Sequence, residues 1–456
     1  MNLRTTLHGN VYTFGDLKEL FGKANEEKSG DHLIGIAAGS VTERVAAKIV
    51  LSDLRLSDIR DNPLIPPDED EVSAVIEEDV NEHVYQDIKS WTVGELRDRI
   101  LGREGTTPKD IETIRRGLTS EMVAACAKLM SSADLVYGAS RMRVTAKCRT
   151  ELGRPGTLSY RCQPNHPKDD PDGIKASLYE GLSYASGDAV FGVNPVEDTV
   201  ANTTRILNTL YDVMETLHVP TQICCLAHVS TQMAAVDAGA PSSMFFQSIA
   251  GTQDANTDFG VTRDLLEEAF ALIKKKGLCP GPNLMYFETG QGSEVSIGAD
   301  RGVDEMTLEA RTYGFGKHFT PFMVNNVSGF IGPETIYDGK QMIRASLEDH
   351  FMGKLSGLPM GMAPCYTNHT GIDQNDQEIA TLLVAMAGSN YFMGLPGGDD
   401  IMLSYQDTSY QDDATFRELL GLTPTPEFFE WAQEWGILDE HAHLTERAGD
   451  ASIFVK

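Results

Sequence analysis

The stretch LMYFETGQG, residues 284–292, decides how the chain is read. Leu284, Met285, Tyr286 and Phe287 form a short apolar run that ends on one acid, Glu288, and then breaks at Gly290 and Gly292. Four apolar residues bounded by glycines read as a buried strand that delivers a carboxylate to the mouth of a loop. On its own such a glutamate would cap a helix or pair with an arginine. Its weight comes from repetition, because similar runs occur before and after it.

β-prone runs fall at 156–164, 189–195, 221–229, 243–249, 283–288, 322–330, 355–365 and 391–396. Helical patterns lie between them at 198–217, 261–276, 303–315, 334–350 and 376–387. Strands alternating with helices are the signature of parallel βαβ units, and eight of them predict an α/β fold of the closed (β/α)8 TIM-barrel type. An open doubly wound sheet is the alternative, but its glycine-rich turn after the first strand is missing from YRCQPN, 160–165. The strand ends carry Arg161 and Gln163, Asn194 and Pro195, His228, Gln247, Glu288, Asn325 and Asn326, Ala363 and Cys365, and Gly397 and Gly398. In a barrel these ends converge on one face, where active sites of this architecture lie.

The barrel is expected over 151–415, with 416–456 as a C-terminal extension. Residues 1–150 read as a mostly helical accessory or oligomerisation region, with helical spacing at 41–54, 91–100 and 120–130 and Ser120 as an N-cap. The acidic run 68–79 reads as a solvated helix face. A net charge of −29 argues against a nucleic-acid partner and suits a small cationic substrate. The seven cysteines, without CxxC spacing, read as reduced thiols. No signal peptide and no apolar run of about 18 residues is present, so a cytoplasmic protein with no membrane partner is expected. No metal is expected from the protein's own ligands: His228, His369 and Glu288 lack HxH or HExxH spacing, and His369 reads as a buried, hydrogen-bonded histidine. Asp399 and Asp400 read as a cation site or a capped loop.

Longer stretches carry a resemblance. TTLHGNVY (5–12), RRGLTSE (115–121), YEGLS (179–183), GDAVFGVNPV (187–196), FETGQGS (287–293), GFIGPE (329–334), EDHFMGKLSG (348–357), CYTNH (365–369) and GDDIML (398–403) resemble the ethanolamine ammonia-lyase large-subunit family across essentially the whole chain. The resemblance implies a carbon–nitrogen lyase, with adenosylcobalamin at the barrel mouth and ethanolamine inside. It implies radical chemistry supplied by the cofactor, acetaldehyde and ammonia as products, and positioning and water exclusion by the protein. It also implies a small-subunit partner, a hexamer of large subunits built as a trimer of dimers, and work in the cytosol or in a bacterial microcompartment. By family position, Arg161 and Asn194 bind the hydroxyl, Gln163 the amine, and Glu288 both. Phe330 walls the substrate, and Pro195, Gln247, Asp258, Ser296 and Met402 contact the cofactor.

One departure stands out. The family carries an amine-binding Asp after the seventh strand, where this chain has Ala363, and Asp373 lies too far downstream to be assumed a replacement. The remaining ligands keep ethanolamine as the expected substrate. A bulkier amino alcohol or a vicinal diol is the alternative that Ala363 raises.

Overall fold

The computed structural model describes residues 1–329, 332 and 334–455, so Phe330 lies outside the described residues. Eight short parallel strands form its centre: β1 (Ser159–Cys162), β2 (Val190–Val193), β3 (Ile223–Cys225), β4 (Phe245–Ser248), β5 (Met285–Thr289), β6 (Met323–Ser328), β7 (Met360–Pro364) and β8 (Tyr391–Gly394). They pair in the order β3-β2-β1-β8-β7-β6-β5-β4. Across the remaining β3–β4 seam, Ser243 N donates to Ile223 O at 3.1 Å and Ile223 N donates to Ser243 Oγ at 3.0 Å. The ring therefore closes as an α/β barrel, and the open-sheet alternative is set aside. Nearly every strand residue is buried, which explains the continuous apolar runs rather than alternating ones.

Each strand is followed by a helix: α1 (Pro171–Ser183), α2 (Val200–Thr216), α3 (Val229–Asp237), α4 (Arg263–Lys276), α5 (Glu305–Lys317), α6 (Gly339–Ser356), α7 (Gln374–Met386) and α8 (Tyr410–Leu420). The widest departures from the expected boundaries fall at α6. The run 355–365 begins inside α6, which stops only at Gly357, a left-handed C-cap with φ 88°. That helix also starts later than 334, because Asp338 rather than an upstream residue caps it.

Register fixes what points inward. Paired residues of a parallel ladder share a face, and the pairs include Met323 with Tyr286, Asn325 with Glu288, Asn325 with Gly361, Val327 with Ala363, and Met393 with Arg161. Arg161 reaches Tyr286 and Glu288 across the interior, so this whole set, Ala363 included, faces the barrel axis. Gly361 is required here: a Cβ would come within 2.2 Å of the Tyr391 ring, which fills the space.

The N-terminal 140 residues open with a hairpin, Arg4–Leu7 with Asn10–Thr13, and continue as helices packed on α5 and α6. Thr119, not Ser120, caps the helix Ser120–Lys128. The acidic run is not simply solvated. Asp70 is buried, caps Glu71–Glu78 and accepts from Arg311 Nη2 at 2.9 Å, while Arg311 Nη1 donates to Glu121 at 2.6 Å. Buried pairs Lys28–Glu348 (2.8 Å) and Lys128–Asp304 (2.5 Å) repeat this cross-linking. Among the described residues no helix is long and apolar enough to cross a membrane, and all seven cysteines are buried and free.

Arg311→Met would strand two buried carboxylates and is expected to lower stability by about 3–5 kcal/mol in urea unfolding; a loss under 1 kcal/mol would show the junction does not need the charge. Burial opposes ionisation of Glu348, but Lys28 and Arg344 bring its pKa down to about 2. A carboxylate with a lowered folded-state pKa stabilises above its ordinary value and loses that contribution as pH falls through the folded one. The stability deficit of Glu348→Gln is therefore expected to narrow on acidification below about pH 4.5; a deficit constant with pH would contradict this.

Candidate active site

The barrel's C-terminal mouth is built around one guanidinium. Arg161, at the end of β1, is only 1% exposed. Its Nη1 donates to Tyr286 Oη at 2.7 Å and Glu288 Oε1 at 3.0 Å, and its Nη2 to Asn194 Oδ1 at 2.7 Å. Burial disfavours its charge, but Tyr286, Glu288 and Tyr405 outweigh that and hold the group above its ordinary range. Glu288 Oε1 also accepts from Tyr286 Oη at 2.9 Å and Asn325 Nδ2 at 3.4 Å. Among the described residues its bonds all fall on Oε1. Oε2 is left toward the opening, with the side chain 17% exposed.

A second layer comes from the loop after β8. Asp400 Oδ2 accepts from Gln163 Nε2 and Asn165 Nδ2, each at 2.7 Å, while its Oδ1 caps the backbone N–H groups of Met402 (2.9 Å) and Leu403 (2.7 Å). Gln163 Nε2 also meets Tyr405 Oη at 2.8 Å. With both amide hydrogens directed away, Gln163 presents its carbonyl as an acceptor. Asn194 is set the opposite way: its Oδ1 accepts from Arg161 and from Asn165 Nδ2 at 3.3 Å, leaving its Nδ2 to donate. The pocket thus has a cationic and donating side at Arg161 and Asn194, and an accepting side at Glu288 and Gln163. It can take a small molecule carrying one hydroxyl and one ammonium.

The expected residues divide by place. Arg161, Gln163, Asn194 and Glu288 meet in one network, and Ala363 faces the same interior. Pro195 and Met402 are partly exposed in the loops after β2 and β8, and Asp258 and Ser296 are exposed in those after β4 and β5. Gln247 is buried on the outer side of β4, where its Oε1 accepts from Val229 N at 2.9 Å and so holds the start of α3. His228 caps α3. His369 is exposed rather than buried, because β7 ends at Pro364 and the following loop runs out to solvent. Asp373 caps α7 and does not reach the site. Asp400 proves to be a loop cap that also binds Gln163. Among the described residues no group of three or more His, Cys, Asp or Glu could hold a metal ion.

Tyr286, Asn165 and Tyr405 were not legible as members of this network. Tyr286 reads as one more apolar residue of its run, and only period-two alternation from Glu288 could have placed its hydroxyl inside. The others lie on loops whose path no periodicity gives.

The ethanolamine ammonia lyase large subunit family model matches residues 12–447. The chain is 54% identical over 454 residues to the ethanolamine ammonia-lyase large subunit of Salmonella typhimurium, covering 100% of both chains. It is 53% identical over 454 residues to that of Escherichia coli strain K12, again with 100% of both chains covered.

Asp400→Ala removes the acceptor of four hydrogen bonds. It is expected to speed amide exchange at Met402 and Leu403 about tenfold, from about 1–1.5 kcal/mol per lost bond; unchanged protection would show that the loop is held otherwise.

Proposed function

The chain belongs to the ethanolamine ammonia-lyase large-subunit family, and from that premise we propose that its barrel mouth converts ethanolamine to acetaldehyde and ammonia with adenosylcobalamin. One observation carries the reading: Arg161 and Asn194 donors face the same pocket as Glu288 and Gln163 acceptors, as an amino alcohol needs.

The residues of the mouth suit a large, flat, amide-fringed cofactor. Val196 (48% exposed), Ile297 (42%) and Ile401 (67%) leave apolar side chains open in the loops after β2, β5 and β8. They alternate with the hydroxyl of Ser296 and the carboxylate of Asp258, both exposed. Apolar loop tips interleaved with hydrogen-bonding groups match a corrin face and its amide rim. Pro195, Asp258, Ser296 and Met402 are the proposed contacts, and Gln247, expected among them, supports the mouth from behind through α3. When bound, adenosylcobalamin supplies the radical that abstracts hydrogen from the substrate.

The chain's own residues do the rest. Arg161 and Asn194 hold the hydroxyl oxygen, and the fixed guanidinium stabilises negative charge that develops there. Glu288 Oε2 and the Gln163 carbonyl hold the ammonium, and Glu288 is placed to move a proton between nitrogen and oxygen as the amino group shifts. Phe330 is the proposed wall that excludes water above the substrate.

The small subunit is the proposed partner, seated over the same apolar rim. Region 1–150 is the proposed contact between large subunits in a trimer of dimers. Val41 (71% exposed), Val45 (43%) and Ile49 (39%) recur every fourth residue on the helix Val41–Asp53, an apolar stripe that suits burial against another copy. Work in the cytoplasm, free or within a bacterial microcompartment, accords with the lack of a membrane-length apolar helix among the described residues.

The test is product analysis on the complex with its small subunit and adenosylcobalamin. Acetaldehyde and ammonia are expected from ethanolamine. Glu288→Gln is expected to lower kcat/KM by at least about 100-fold. No product with the wild-type complex, or an unimpaired Glu288→Gln, would refute the assignment.

A further inference from the structure

Ala363 offers only a methyl group to the barrel interior, and the structure holds a buried acid in the loop after β8. Asp407 follows β8 in an extended segment wedged between the ends of β7 and β8. Tyr366 and Gln406 exchange backbone bonds at 3.0 and 2.8 Å, and Asp407 N donates to Gly398 O at 3.0 Å. Alternation along an extended chain puts Asp407 on the same side as Tyr405, whose hydroxyl meets Gln163 inside the site. Asp407 is 5% exposed. Its Oδ1 accepts from Thr408 N at 2.8 Å, while its Oδ2 is buried without a hydrogen-bond partner among the described residues. A carboxylate oxygen left unpaired inside a protein is costly unless a ligand completes it.

We infer that Asp407 binds the substrate ammonium in place of the carboxylate missing at Ala363, and so preserves ethanolamine as the substrate. The inference rests on the proposed function of this same site. It requires the carboxylate to act from the loop after β8 instead of from β7. The groups bearing on Asp407 are Arg161 and Asp400, and it bears in turn on Tyr405 and Cys365. Burial, the leading cause, pushes its pKa up to about 8. An ammonium brought to the carboxyl favours its ionised form against that burial.

The experiment is steady-state kinetics of the wild-type complex, Asp407→Asn, Ala363→Asp and the double variant, each with its small subunit and adenosylcobalamin. Asp407→Asn is expected to raise the KM for ethanolamine about 10- to 100-fold, with a smaller change in kcat, as for a lost hydrogen bond to a charged group. Adding Ala363→Asp to that variant is expected to recover most of the loss, a rescue that a purely structural role of Asp407 would not show. A KM within twofold of wild type for Asp407→Asn, or failure of the double variant to recover while Ala363→Asp alone remains active, overturns the inference. Inactivity of the wild-type complex would refute the functional reading instead, and is thereby told apart.

Discussion

A fully buried guanidinium organises this barrel. Arg161 arises on β1, and both its terminal nitrogens bond groups that other strands bring to it: Gly192 O on β2, Asn194 beyond β2, Tyr286 and Glu288 on β5, and Met393 Sδ on β8 at 3.6 Å. Taking such a charge out of water is tolerable only if each partner arrives in register. The same bonds that satisfy Arg161 also polarise the pocket, because they consume Glu288 Oε1 and Asn194 Oδ1 and turn the opposite ends of those side chains toward the substrate space. Stability and site geometry are here one network.

The fold was legible because parallel barrel strands are buried on both faces. All eight apolar runs located real strands, and the errors lay at edges where caps decide. Asp338 and Gly357 set the limits of α6, and no hydrophobic pattern reports them. Among the site residues, those at strand ends were found because their position follows from the strand itself. Asn165 and Tyr405 escaped because they depend on how loops fold back between strand ends. The acidic run 68–79 was read as solvated, which fails at Asp70 for a related reason. Composition shows its charge, while the buried Arg311 that pairs with Asp70 lies 241 residues away.

The N-terminal helices are joined to the barrel by charge as well as by apolar packing. Lys28, Lys128 and Arg311 each cross the junction to reach or offer a partner, and each is fully buried. Hydrophobic contact alone would hold the two parts together but would tolerate sliding. Fixed ion pairs tolerate much less, so the helices that support α5 and α6 sit in one register relative to the strands carrying Glu288 and Asn325.

The ring order has a consequence for how the protein is made. β1 must pair with β8, yet Met393 follows Arg161 by 232 residues, and Glu288 follows it by 127. At about 5–20 residues per second of synthesis, roughly ten to fifty seconds separate the two strands. Throughout that interval the nascent chain carries an unpaired strand edge, and until Glu288 emerges it also carries a cation without its counter-ion. Such a chain profits from holding by chaperones until its last strand is delivered, and late truncations should be more damaging than their small share of the core suggests.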